Sequence, residues 1–245
     1  MNPPRAVLPL RVVLVDPRNP LNIGAAARAM SNFGFFEMRL VNPYQVAFRE
    51  ARSAVKSQHV LRAAREYATV AEAVADCALV VGTTSRGPRA LEHPLRRLEQ
   101  GGRLILKKLA SAPVALLFGS EKFGLSNDAM SHCHWLMRIP TREEHGSMNL
   151  GQSVAVCLYE LARKPPRTLA EPPVKPPAEA GDLERITTLL EEVLARSGYV
   201  HAPVEGSTRL KLRRLVRRMQ LNSHDAAVWL GMLRQMRWKL FEADK

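Results

Sequence analysis

The chain has 245 residues, 46% of them hydrophobic, and 36 Lys and Arg against 23 Asp and Glu give a net charge of +13. That length holds one large domain, or a medium domain with a small partner, and the hydrophobic share is enough for a true core. The charge points to a polyanionic partner. Three scattered cysteines exclude a disulfide framework, and the lack of a long apolar run excludes a signal peptide or membrane span, so a soluble cytoplasmic protein is expected.

Taken in chain order, Arg11–Val15 (RVVLV) predicts a buried strand, closed by the turn signals Asp16, Pro17, Asn19 and Pro20. Ile23, Ala26, Ala27, Met30 and Phe33 fall on one helical face, with Gly34 as the stop. Met38–Val41 is a strand halted by Asn42 and Pro43. Val70–Ala75 reads as helix, Ala78–Val81 as a short strand ending in Gly82, and Leu95–Leu109 as a helix with basic residues outward. Val114–Phe118 (VALLF) is a fully apolar strand ended by Gly119. His132, Cys133 and His134 read as extended chain, where neighbours point to opposite faces, so no metal is expected there. Trp135–Ile139 is a strand stopped by Pro140, and Leu150, Val154, Leu158 and Leu161 mark a final helix. Apolar strands alternating with helices imply a mainly parallel α/β sheet covered on both faces.

Residues 164–181 carry Pro165, Pro166, Pro172, Pro173, Pro176 and Pro177. Proline at this density favours extended backbone and predicts a semi-rigid linker between units at 1–163 and 182–245. The second unit reads as three helices: Leu183–Arg196, about Thr208 to Met219 with Ser207 as candidate N-cap, and about His224 to Phe241 with Ser223 as candidate N-cap. In the middle helix Leu212, Leu215, Val216 and Met219 form an apolar stripe. Arg209, Lys211, Arg213, Arg214, Arg217 and Arg218 cover the rest with no acid between them, which predicts contact with phosphate. Trp135, Trp229 and Trp238 read as core.

Several chemistries lack their residues. There is no G-x-G-x-x-G after a strand, and GSEKFGLS (119–126) places Leu125 where a phosphate-binding loop needs lysine. Three segments remain, each after a strand, at the sheet edge where α/β proteins bind ligands. The first is Asn22 to Arg28, where Gly24 and the alanines permit close approach and Arg28 offers a fixed charge. The second is Phe118 to Leu125. The third runs from Ile139 to Gly146, Ser147, Met148, Asn149 and Leu150.

Together these segments resemble the TrmH/TrmJ-like branch of the SPOUT-class RNA 2′-O-methyltransferases. The resemblance covers about residues 10–163: N-x-G-x-x-x-R (Asn22, Gly24, Arg28), F-G-x-E-x-x-G-L (Phe118, Gly119, Glu121, Gly124, Leu125) and S-x-N-L (Ser147, Asn149, Leu150), with GTTSRG (82–87) as a further loop. The resemblance implies an α/β SPOUT domain with a deep trefoil knot, followed by a small all-α C-terminal domain, in a homodimer. It also implies S-adenosyl-L-methionine held by Thr83, Thr84, Ser85, Gly119, Ile139, Gly146, Ser147 and Met148. Arg28 is the implied catalytic residue, as proton acceptor or, in keeping with the high pKa of a guanidinium, as a group that positions substrate. Asn22 orders the site. Glu121 either orders the cofactor loop through backbone hydrogen bonds or pairs with Arg28, and Ser147 and Asn149 act in the site or cap a helix. Arg86, Arg209, Arg213, Arg214, Arg217 and Arg218 are the expected RNA contacts, with the cofactor as the alternative partner of Arg86. The implied reaction is 2′-O-methylation of tRNA at the pyrimidine of anticodon-loop position 32. Two other readings stay open: the same chemistry on ribosomal RNA, and a non-catalytic RNA-binding protein on this fold. In the division of labour expected here, loss of residues 165–245 costs RNA affinity and spares the cofactor.

Overall fold

The computed structural model describes residues 8–45, 58–85, 93–142, 144, 146–163, 175–200 and 205–242. Arg86, and the linker prolines from Pro165 to Pro173, lie outside the described residues.

Among the described residues seven parallel strands form one sheet in the order β3-β2-β1-β6-β4-β7-β5. They are β1 (Leu10–Val15), β2 (Glu37–Val41), β3 (Arg65–Tyr67), β4 (Leu79–Thr83), β5 (Leu95–Arg97), β6 (Val114–Phe118) and β7 (Trp135–Arg138). The central strands are apolar on both faces because helices cover both. Val12 and Leu14 of β1 pack with Leu116 and Phe118 of β6 on one face, while Val13 and Val15 pack with Ala115 and Leu117 on the other.

The first face is covered by α1 (Pro20–Phe33), α2 (Gln58–Ala63), α4 (Leu98–Leu109) and α6 (Leu150–Arg163); the second by α3 (Val70–Ala73) and α5 (Asn127–Ser131). Asn19 caps α1 by accepting the Leu21 N–H, Pro20 occupies its first turn, and Gly34 ends it at φ +79°. Helices α1 and α6 pack closely because Gly151 has no side chain: a Cβ there would lie 2.6 Å from the Ala25 Cβ.

Three helices follow, α7 (Ala180–Arg196), α8 (Glu205–Arg218) and α9 (Ser223–Glu242), with their own core of Leu183, Ile186, Val216, Ala226, Leu230 and Leu233. They are seated on the second face of the sheet. Ala180 and Leu210 join its apolar layer, and the Ala180 and Gly181 N–H groups donate to the carbonyls of Cys77 and Ala75, both at 2.8 Å.

Some expectations are corrected. Leu95–Arg97 is not the start of a helix but an edge strand paired with β7. His132 is not extended; it closes α5 with helical backbone angles. Ser207 lies inside α8, and the cap of α9 is Asn222, whose Oδ1 accepts the Asp225 N–H at 2.9 Å, rather than Ser223. Trp135 is buried as expected, but Trp238 is half exposed. No helix among the described residues is long and apolar enough to cross a membrane.

Candidate active site

Two of the three segments singled out in the sequence, 118–125 and 139–150, line a cavity of about 600 Å³ at the C-terminal edge of the sheet together with residues 83–85, and the first segment reaches them through Asn22. All eight expected cofactor positions line it: Thr83, Thr84, Ser85, Gly119, Ile139, Gly146, Ser147 and Met148. That volume lies in the range of small-molecule sites.

Each wall is held by backbone hydrogen bonds. The Thr83 hydroxyl donates to the Leu117 carbonyl at 2.9 Å, and the Thr84 N–H to the Met137 carbonyl at 2.9 Å, which stitches residues 83–84 between β6 and β7. After β6 the chain folds back on itself, with the Gly124 N–H donating to the Ser120 carbonyl at 2.9 Å. Gly124 turns at φ +69°, and a Cβ on Gly119 would lie 2.0 Å from the Gly124 carbonyl carbon and 2.1 Å from the Leu125 nitrogen. Only glycine fits at 119. On the third wall the Thr141 hydroxyl donates to the Gly146 carbonyl at 3.4 Å, before Asn149 caps α6 by accepting the Gln152 N–H at 3.3 Å.

The lining mixes backbone and hydroxyl groups with Phe118, Leu125, Met130, Ile139, Met148 and Leu150. Such a set fits S-adenosylmethionine: apolar side chains for the faces of an adenine ring, backbone groups for its edges and for ribose hydroxyls. Ser120, Lys122 and Thr141, inside the segments singled out but not named as site residues, also line the cavity, as does Arg138, which was missed although it ends a strand at the ligand edge.

Beside the cavity, Asn22, Glu121 and Asn149 form one network. Glu121 Oε1 accepts from Asn22 Nδ2 at 3.0 Å and from the Asn19 N–H at 3.2 Å, and its Oε2 accepts from the Arg18 N–H at 3.3 Å. Asn149 Nδ2 donates to Asn22 Oδ1 at 2.8 Å. Glu121 pairs with Asn22 rather than Arg28, and the backbone it bonds is that of Arg18 and Asn19, so it ties its own loop to the chain leading into α1. Asn149 both caps α6 and joins the network. Ser147 is exposed on the cavity wall. Arg28 stands apart. It is exposed on α1, on the same face as Leu21 and Ala25, and makes no hydrogen bond or ion pair with any described residue.

The expected RNA-binding arginines separate into two groups. Arg213 and Arg217 are 4% and 1% exposed. Arg213 donates to Glu184 through Nε and Nη2 (2.9–3.2 Å), to Asp128 at 3.1 Å and to the Ser131 hydroxyl at 2.8 Å. Arg217 donates to the His132 carbonyl at 3.2 Å and to Glu184 at 3.4 Å. This corrects the expectation that all five described arginines offer charge to phosphate: these two point inward because Glu184 draws them there. Arg209 is half exposed and pairs with Glu191 at 3.0 Å. Arg218 is exposed, Arg214 is half-buried, and both lie near enough to His93 to lower its pKa, after burial.

Residues 9–159 match the model of the SpoU rRNA methylase family. Similar proteins include the tRNA (cytidine/uridine-2′-O-)-methyltransferases TrmJ of Sodalis glossinidius and Yersinia pestis. Each is 36% identical over 231 residues, covering 91% of this chain and 89% or 90% of the relative. Among solved structures, TrmJ from Zymomonas mobilis ZM4 superposes with a TM-score of 0.81 at 34% identity, covering 92% of this chain and 98% of that one.

Proposed function

The chain belongs to the SpoU rRNA methylase family, and from that premise we propose that it transfers the methyl group of S-adenosyl-L-methionine to a ribose 2′-hydroxyl of tRNA. The observation that carries the reading is that every expected cofactor position lines one cavity, beside the Asn22–Glu121–Asn149 network. The cofactor supplies an electrophilic methyl group on sulfur. The chain's own work is to hold that group against the hydroxyl and to exclude other nucleophiles. The glycine-tight loop at 119–125, the Thr83 hydroxyl and the Thr84 N–H fix the cavity walls. The network holds the start of α1 against the 119–125 loop, and so sets where Arg28 stands. Arg28 steadies the alkoxide that develops on the ribose as the hydroxyl proton passes to water, and holds the neighbouring phosphate; its proton affinity makes this the better role than general base.

The substrate follows TrmJ, whose name specifies cytidine and uridine of tRNA, and we place the reaction at anticodon-loop position 32. Residues 1–163 form the catalytic SPOUT domain with its trefoil knot, 164–181 the linker and 182–245 the RNA-binding unit. Arg86, Arg209, Arg214 and Arg218 meet phosphate. The protein works as a cytoplasmic homodimer: Leu21, 77% exposed, Ala25 and Arg28 offer an open face on α1 for a second copy.

The test is transfer of labelled methyl groups to tRNA and, separately, to ribosomal RNA, with nucleoside mass spectrometry and mapping of the modified position. A 2′-O-methylated pyrimidine at position 32, in tRNA alone, is expected. Product in ribosomal RNA alone would overturn the substrate. Arg28→Ala is expected to lose at least about a hundredfold in turnover, the scale for removal of one transition-state contact, while cofactor affinity measured by calorimetry stays within about twofold. Near-normal turnover by that variant would remove Arg28 from the chemistry.

A further inference from the structure

We propose that Arg213, Arg217 and Glu184 are positioning residues for the cofactor cavity: they fix α5, whose other side forms cavity wall, so cofactor affinity depends on how the C-terminal helices are seated. The inference rests on reading that cavity as the S-adenosylmethionine site.

Helix α5 is short, and hydrogen bonds within one turn do not hold a helix by themselves. Its stability comes from what lies on each side. On one side, Leu125, which leads into the helix, and Met130 line the cavity. Leu125 also packs with Cys133 around Gly82: a Cβ on Gly82 would lie 2.8 Å from the Cys133 Sγ and 3.0 Å from a Leu125 methyl carbon. A shift of α5 therefore moves the floor beneath Thr83 as well as the wall.

On the other side, the arginines of α8 hold three consecutive features of the same turn. Arg213 takes the Asp128 carboxylate and the Ser131 hydroxyl, and Arg217 takes the His132 carbonyl, which the end of the helix leaves without a partner in the ladder. Glu184 of α7 neutralises both guanidinium groups from behind, at 17% side-chain exposure. A paired cluster this dry is sensitive to loss of any member, because the remaining charge stays buried. Arg217 Nη1 and His132 Nδ1 have no hydrogen-bond partner among the described residues, and His132 Nδ1 lies 3.8 Å from Glu184 Oε2. The C-terminal helices thus press on the catalytic domain at the helix that walls the cofactor, which departs from a division in which they serve RNA alone.

The experiment measures S-adenosylmethionine affinity by calorimetry on full-length protein, well below the melting temperature. The variants are Arg213→Ala, Arg213→Lys, Glu184→Gln, Asp128→Asn and Arg237→Gln. Arg213→Ala and Glu184→Gln are expected to weaken cofactor binding about tenfold, within the usual range of coupling between sites. Arg213→Lys keeps the charge and recovers part of the loss. Asp128→Asn removes one contact from a carboxylate that is 70% exposed, so the protein folds and shows a smaller loss in the same direction. Arg237→Gln breaks an exposed pair with Glu192, within the C-terminal helices, and binds as wild type. Amide hydrogen exchange without cofactor should quicken at 126–131 in Arg213→Ala and not in Arg237→Gln. Folded Arg213→Ala, Glu184→Gln and Asp128→Asn with wild-type affinity would overturn the proposal. A wild-type protein that binds no cofactor would overturn the reading of the cavity, and this inference with it.

Discussion

A carboxylate sets the direction of the network at the candidate active site. Glu121 can only accept hydrogen bonds, so the amide nitrogen of Asn22 must face it. The Asn22 oxygen then faces Asn149, whose nitrogen must donate, and the Asn149 oxygen is left for the Gln152 N–H, as found. Three side chains from distant parts of the sequence are thereby oriented without ambiguity. The same tightness holds for backbone at Gly119. Replacement by alanine forces a Cβ into a space about 2 Å from two backbone atoms, so the fold-back at 119–125 must open. Gly119→Ala is expected to lose about 1–3 kcal/mol of stability, the usual cost of overpacking, and most of its cofactor affinity. Urea melts paired with calorimetry check this; a variant that melts like wild type and binds normally would mean that the loop has slack.

At the scale of elements, the contact of α5 with α8 carries a pH dependence. His132 is buried beside Arg213, Arg217 and Arg209; burial first, then those cations, hold its pKa down to about 2. In the unfolded chain the imidazole protonates near its ordinary value of 6.5. Below that pH the unfolded state binds the extra proton and the folded state does not, so stability falls as pH falls. Between pH 6.5 and 5 the linkage amounts to about 2 kcal/mol from this one group. His132→Asn removes the titration, and its stability should fall less than that of wild type between urea melts at pH 7 and pH 5; equal losses would assign the acid sensitivity elsewhere. This contact also marks where sequence stops being legible. Val114–Phe118 is readable as a strand because a run of five apolar residues between turn signals suits a doubly covered sheet. Leu95–Arg97 is not, because only its pairing with β7 makes it a strand. In α8, apolar periodicity chose Leu212 and Val216, which are buried, together with Leu215 and Met219, which are 45% and 37% exposed. The face that is buried carries Leu212, Arg213, Val216 and Arg217, chosen by Glu184 on another helix. The residues that line the cavity were legible through family motifs, whereas the meeting of Asn22 with Glu121 and Asn149 depends on folding that no spacing displays.

For the whole molecule, a net charge of +13 is a statement about RNA only to the extent that the cations are accessible. Each phosphate neutralised by a surface cation releases condensed counterions and steepens the fall of affinity with salt. A cation already neutralised inside the protein releases none. Arg218 and Lys211 are exposed on α8, while Arg213 and Arg217 are bound to Glu184. Two neighbouring arginines on one helix should therefore behave differently on substitution. Arg218→Ala is expected to weaken tRNA binding and to reduce the slope of log affinity against log salt by about one. Arg213→Ala, assayed without cofactor, should leave that slope unchanged, whatever it does to affinity through the seating of α8. Binding isotherms over a series of salt concentrations separate the two. An equal loss of slope in both variants would mean that Arg213 leaves Glu184 for phosphate when RNA binds, and that the joint with α5 opens in the complex.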